Sequence, residues 1–183
     1  MTRTVLSIGS NLGGRLGHLQ SVVDGLGSSV VAVSPVYETA PWGGVEQQRF
    51  LNAIVVADDV AVGCWDWLAR GAQLERAADR VRGRRWGPRT LDVDVITCHD
   101  GSHELARADE VLTLPHPRAH QRAFVLIPWL AVDRAATLTV DGSSRRVADL
   151  LDGLDPAERE GVRLTSMTLH TERSSPARRP HDA

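Results

Sequence analysis

The order in which the apolar residues change period between residues 4 and 98 restricts this chain more than any other feature. Thr4 to Ile8 is a short β-rich run closed by the turn signal Gly9-Ser10-Asn11. Leu16, Leu19, Val22, Val23 and Leu26 then recur at helical spacing, and Gly27 supplies a stop. Val30 to Tyr37 reads as a second strand, in which Pro35 requires an edge or an irregularity. A polar loop, Glu38 to Arg49, precedes the clearest apolar strand, Phe50 to Ala57, which one amide, Asn52, interrupts. Helical spacing returns from Trp65 to about Arg80, Arg80 to Thr90 is loop-like, and Leu91 to Cys98 is a further strand.

This βαββαβ order predicts an α+β domain: a ferredoxin-like core with a mainly antiparallel sheet carrying helices, and C-terminal strand and helix additions. The additions are a strand at Leu112 to Leu114, the turn PHPRAH, a helix over Phe124 to Ala131, a strand near Thr137 to Val140 and a helix near Val147 to Leu154. Pro128 is expected near a helix end or at a kink. A single domain over residues 1–165 is predicted, with a disordered tail over 166–183, because beyond Thr168 the composition turns to Ser, Pro, Arg and His without periodicity.

Composition closes several routes. Among 183 residues with a formal charge of -2, all 21 basic residues are arginine. A Walker A loop, a protein-kinase lysine and Schiff-base chemistry are therefore excluded, and any bound anion must be held by guanidinium forks or backbone amides. Cys64 and Cys98 have no CxxC spacing and sit in apolar surroundings, so neither a disulfide nor a zinc site is expected, and a reducing cytoplasmic setting fits. No apolar stretch approaches the ~20 residues of a membrane span. Bulk nucleic-acid binding is not expected at this net charge.

The strongest local signal is Asp92-Val93-Asp94 inside a strand. Its two carboxylates share one face, about 6.5–7 Å apart along the chain. Aspartate is depleted in strands, and two on one face repel unless a cation or solvent intervenes. Such a pair suits Mg²⁺ ions that clamp a polyphosphate; a sheet with one solvated face is the alternative. Seven arginines lie between positions 70 and 89, five of them (80, 82, 84, 85 and 89) in the loop entering the Asp strand. They supply bidentate donors for phosphate oxygens, or else form a solvated basic turn or an RNA contact. A second cluster, Thr39-Ala40-Pro41-Trp42 with Phe50, Asn52 and Phe124, can sandwich and read a flat heteroaromatic ring, although either phenylalanine alone suits a core. His116 and Arg122 are candidates for a phosphate or ribose.

Taken together, GSNLG at 9–13, FLNA at 50–53, GRRWGPRTLDVDV at 83–95, LPHP at 114–117 and RAF at 122–124 closely resemble 6-hydroxymethyl-7,8-dihydropterin pyrophosphokinase, a folate-pathway family. The resemblance implies transfer of pyrophosphate from ATP to the pterin hydroxymethyl group, with AMP as the other product. It implies α/β/α layers around the ferredoxin-like core, with ATP and 6-hydroxymethyl-7,8-dihydropterin as partners; a cytoplasmic monomer that binds no nucleic acid or membrane is the expectation.

By the same resemblance, Asp92 and Asp94 hold two Mg²⁺ ions, and Arg80 and Arg89 assist transfer. Glu75, Arg80, Arg82, Trp86, Arg89, Thr113, His116 and Arg122 are implied on the ATP side, and Thr39, Ala40, Trp42, Phe50, Asn52 and Phe124 on the pterin side. Phe50 stands where many relatives carry tyrosine, Ala72 where glutamine is frequent, and Pro117 where tyrosine is frequent. Two rivals remain at this level: an RNA-binding module on a ferredoxin-like sheet, and a two-carboxylate nucleotidyl transferase or cyclase.

Overall fold

A computed structural model describes residues 1–40, 47–79, 88–108 and 111–172. In chain order the elements are β1 (Thr2–Ser10), α1 (Arg15–Leu26), β2 (Val30–Val33), β3 (Tyr37–Thr39), β4 (Phe50–Asp59), α2 (Cys64–Ala77), β5 (Asp92–Asp100), β6 (His103–Glu104), β7 (Arg107–Ala108) and β8 (Thr113–Leu114). There follow α3 (Ala123–Val132), β9 (Thr137–Val140), β10 (Ser143–Arg146), α4 (Val147–Asp152), α5 (Pro156–Glu160) and β11 (Val162–Leu164).

The main sheet has the order β11-β3-β4-β1-β5-β6, β2 also pairs with β4, and every pairing is antiparallel. This is the predicted ferredoxin-like arrangement. The expected second strand is split: between β2 and β3, the Ser34 amide donates to the Ile54 carbonyl, and the Ser34 hydroxyl accepts from the Ile54 amide. Pro35, which cannot donate, falls in that break.

Local chemistry sets the helix ends. α1 buries Leu19, Val22, Val23 and Leu26 and stops at Gly27, whose φ of 53° favours glycine. At the start of α2 the Asp66 carboxylate accepts from the Gly63 amide at 2.7 Å. Pro128 lies inside α3 rather than at its end, leaving the Phe124 carbonyl without a proline N–H to accept from. The β9–β10 turn, Asp141-Gly142, takes positive φ at both positions, which suits a two-residue hairpin.

Helices cover both faces of the sheet. On one face Leu6, Ile8, Leu51, Val55, Val93 and Val95 form a core with α1 and α2 around the fully buried Trp67. On the other face Val5, Ile54, Val56 and Ile96 pack beneath Leu126 and Trp129 of α3 and Val147 and Leu150 of α4. Since α3 and α4 cover only part of this second face, the ends of β1, β4 and β5 nearest Gly9, Phe50 and Asp92 remain open to a cleft.

Two expectations are corrected. Cys64 and Cys98 form a disulfide, with Cα atoms 5.9 Å apart. A β-bulge explains the pairing: Val5 is opposite Thr97 while Leu6 is opposite Val95, so Ile96 is an extra residue and face alternation reverses beyond it. Simple alternation would turn Cys98 toward the aspartate face, whereas the bulge turns it toward α2 and Cys64. The start of the expected tail is also packed: Leu169 joins the α1–α2 core, and the His170 amide donates to Gln20 at 2.9 Å. Residues 173–183 lie outside the described residues.

Candidate active site

Three central strands build the floor of the cleft. Ser7 and Gly9 of β1 lie opposite Asp94 and Asp92 of β5 on one side, and Gly9 lies opposite Asn52 of β4 on the other. Period-two alternation therefore gathers Ser7, Gly9, Phe50, Asn52, Asp92 and Asp94 on one face. Thr39, Ala40, Gln47, Arg89, Arg122 and Phe124 complete the lining.

The polar end is a network of two carboxylates and two guanidiniums. Arg89 Nη1 donates to Asp92 Oδ2, and Arg122 Nη1 donates to Asp94 Oδ2 at 3.2 Å. Arg122 also lies over the Phe124 ring, 5.6 Å from its centroid, so it joins the acidic end to the aromatic wall. Burial, and then the charge of Asp92, push the Asp94 carboxyl up to about 6 against the opposing pull of Arg122 and Arg89. His116 stands 4.0 Å from Asp94 through Nε2. Burial and the neighbouring Arg122 push its imidazole down to about 4, and its Nδ1 accepts from the Arg118 amide at 3.2 Å, which fixes the neutral ring with its proton on Nε2.

At the other end, Asn52 Nδ2 donates to Thr39 Oγ1 at 2.8 Å, while Asn52 Oδ1 accepts no hydrogen bond from the described residues. That oxygen sits over Gly9, where a Cβ would approach it to 3.0 Å. Phe50 and Phe124 line this end of the cleft together with Asn52, so two aromatic rings and one amide face the same space.

The donor set at the acidic end fits Mg²⁺. Two hard carboxylates share one strand face and open on the cleft, and their mutual repulsion is what a divalent cation relieves. Among the described residues no group of three or more His, Cys, Asp or Glu side chains is placed to hold a metal, so further ligands would come from a bound phosphate chain.

Of the residues singled out in the sequence, the fold brings Thr39, Ala40, Phe50, Asn52, Arg89, Asp92, Asp94, Arg122 and Phe124 into one lining, with His116 against Asp94. Glu75 and Thr113 do not join it. Glu75 is buried on the α2 side of the sheet, where Oε1 accepts from the Val93 amide at 2.9 Å, between the two aspartates in sequence. It fixes the backbone that carries them. Thr113 is exposed on β8, opposite Ala108. Trp42, Arg80, Arg82 and Trp86 lie outside the described residues.

The family model for HPPK, 7,8-dihydro-6-hydroxymethylpterin-pyrophosphokinase, matches residues 5–134. The chain belongs to the HPPK family. It is 62% identical over 184 residues to the 2-amino-4-hydroxy-6-hydroxymethyldihydropteridine pyrophosphokinase of Mycobacterium leprae (strain TN), spanning 97% of this chain and 96% of that protein. The protein of the same name from Bacillus subtilis (strain 168) is 36% identical over 159 residues, 82% of this chain and 92% of that one. The crystal structure of Plasmodium falciparum HPPK-DHPS wild type with SDX-DHP superposes with a TM-score of 0.58 at 12% identity, covering 82% of this chain and 44% of that longer one. At that identity the likeness speaks for the fold, and it agrees with the antiparallel sheet.

Sequence reasoning missed two residues that line this HPPK-family cleft and one that stands behind it. Ser7 carried no signal beyond its parity with Gly9 on β1, and Gln47 sat in a loop read only as polar. Asn11 was read as a turn residue, yet it is 1% exposed and bonded to two separate loops. A buried amide immediately after a strand is the pattern that marks it.

Proposed function

We propose that this chain transfers the terminal diphosphate of ATP to the hydroxymethyl oxygen of 6-hydroxymethyl-7,8-dihydropterin, releasing AMP, with two Mg²⁺ ions held by Asp92 and Asp94. The observation that carries this reading is one cleft lined both by Phe50, Phe124 and Asn52 and by a pair of carboxylates, Asp92 and Asp94, bonded to Arg89 and Arg122.

In this reaction the hydroxymethyl oxygen forms a bond to the β-phosphorus. The bond from that phosphorus to the oxygen bridging to the α-phosphorus breaks, AMP leaves with that oxygen, and the hydroxyl proton passes to solvent. Bound at the aspartates, Mg²⁺ neutralises the triphosphate and lowers the pKa of the attacking hydroxyl. Asn52 Oδ1 accepts from an N–H on the pterin edge, and the two rings hold the heterocycle so that its hydroxymethyl arm points toward Asp92 and Asp94. Arg89 and Arg122 transfer part of their charge from the carboxylates to phosphate oxygens, which stabilises charge developing on the leaving group. His116, neutral through the physiological range, offers its Nε2 proton as a hydrogen-bond donor to phosphate or ribose.

An RNA-binding module is disfavoured by the same geometry. Such a module stacks bases on aromatic side chains of its central strands. Here α3 and α4 cover part of that sheet face, and the open part of β1 and β5 carries Ser7, Gly9, Asp92 and Asp94. The deciding experiment incubates the protein with Mg-ATP and the reduced pterin alcohol and identifies the nucleotide product. Pterin-dependent AMP is expected; ADP or a cyclic nucleotide overturns the reading.

A further inference from the structure

We propose that Asn11 is a positioning residue that couples the two substrate sides of the cleft by holding Arg89 and the return of the 47–48 segment at once. The proposal rests on the pyrophosphoryl-transfer reading of the cleft. Asn11 follows β1 directly and is almost wholly buried. Its backbone amide donates to the Arg89 carbonyl at 3.1 Å, and its Oδ1 accepts from the Arg89 amide at 2.7 Å. Held at both its N–H and its C=O, the Arg89 backbone has one orientation, and from it the side chain reaches Asp92. On the other side, Asn11 Nδ2 donates to Gln47 Oε1 at 3.0 Å and to the Gln48 carbonyl at 3.1 Å. That segment leads straight into Phe50 and Asn52, which line the aromatic end of the cleft.

A primary amide is the side chain that meets all of these demands, since it offers one acceptor oxygen and two donor hydrogens. Aspartate keeps the acceptor for Arg89 but turns a like oxygen toward the Gln48 carbonyl. Alanine loses both holds. Arg89 precedes the metal-binding strand, and Gln48 precedes the strand that carries Asn52, so a shift of either at Asn11 is felt by the other. The expected consequence is that ATP and pterin affinities depend on each other through this one residue.

Asn11→Ala and Asn11→Asp, each checked by circular dichroism and thermal melting, separate the two holds. Asn11→Ala should lower kcat roughly a hundredfold, because a guanidinium displaced by about an ångström no longer meets the reacting phosphate. Asn11→Asp should lose much less kcat but raise the pterin KM about tenfold, the scale of one buried hydrogen bond left unmade. Pterin affinity, measured with and without a non-hydrolysable Mg-ATP analogue, should lose its dependence on the analogue in both variants. Equal changes in kcat and pterin KM in the two variants, or unchanged kinetics in Asn11→Ala, would overturn the proposal.

Hydrogen exchange at the Arg89 amide in the unliganded protein reads the same hold without turnover. Acceleration in Asn11→Ala but not in Asn11→Asp supports the proposal, and no difference overturns it. If the wild-type protein makes no pterin-dependent AMP, the functional reading fails by itself, while the exchange result still decides whether Asn11 fixes Arg89.

Discussion

On one face of the sheet Leu6, Ile8, Leu51, Val93 and Val95 meet α1 and α2, and the buried polar groups there are paired: Glu75 accepts from the Val93 amide and Thr2 from the Trp67 indole. One residue along on the same strands, the other face carries Ser7, Gly9, Asn52, Asp92 and Asp94, beyond the strip that α3 covers. The difference lies in what each face is asked to do. The first supplies apolar burial, which makes the sheet rigid. The second can then keep two like charges side by side, an arrangement that costs stability and that a sheet packed on both faces would not tolerate. Alternation lets one strand serve both purposes, so the two faces should answer mutation independently.

The largest expected effect breaks function and spares the fold. Asp94→Ala or Asp92→Ala should lower turnover by about a thousandfold or more, the scale of removing a fixed group that offsets transition-state charge. Steady-state kinetics with Mg-ATP checks this, and a rate within tenfold of wild type would remove these aspartates from the metal site. Asp94→Asn should leave the melting temperature unchanged or higher, because a half-buried carboxylate repelled by Asp92 is relieved. Trp67→Ala does the reverse. Its side chain is fully buried and its Nε1 donates to Thr2 Oγ1 at 3.0 Å. Truncation should cost about 3–5 kcal/mol in urea unfolding while leaving both KM values alone. Slightly smaller is the effect of Cys64→Ser, which opens a cross-link between residues 34 apart in sequence. A loss of about 3–4 kcal/mol is expected on loop-entropy grounds, measured against the oxidised wild type.

Much of this division was legible in the sequence, because period two is written directly into Asp92-Val93-Asp94 and into Phe50-Leu51-Asn52. The βαββαβ order was equally open to reading, since each element is long enough to show its period. What stayed hidden depended on contacts made across the chain. β11 is three residues long and exists through its pairing with β3, so Val162–Leu164 shows no pattern of its own. The disulfide stayed hidden because its cysteines lie 34 residues apart with no CxxC spacing, and the bulge at Ile96 that turns Cys98 toward α2 leaves no mark in the sequence. The hold of Glu75 on the Val93 amide was equally hidden, because it depends on Gly71 letting α2 approach Val93 closely, 3.1 Å from a would-be Cβ. Asn11 escaped because a turn asparagine and a buried clamp look identical until their partners, 36 and 78 residues away, are in place.

The finest test of the comparison adds a single methyl group to the site face. Gly9 lies within β1, and its φ is not in the left-handed region, so alanine fits the backbone there without strain. Replacing glycine inside a strand removes unfolded-state freedom and should raise stability by about 0.5–1 kcal/mol where the new methyl has room. The methyl meets Asn52 Oδ1 at 3.0 Å, so the amide must move by a few tenths of an ångström. Asn52 is also tied to Thr39, and a small displacement will tilt the acceptor away from the cleft. Gly9→Ala should therefore raise the pterin KM about tenfold, leave the ATP KM within about twofold, and leave the melting temperature level or slightly higher. A fall in stability with unchanged pterin KM would mean that Gly9 serves packing, and the boundary between the two kinds of sheet surface would have to be moved one residue toward the cleft.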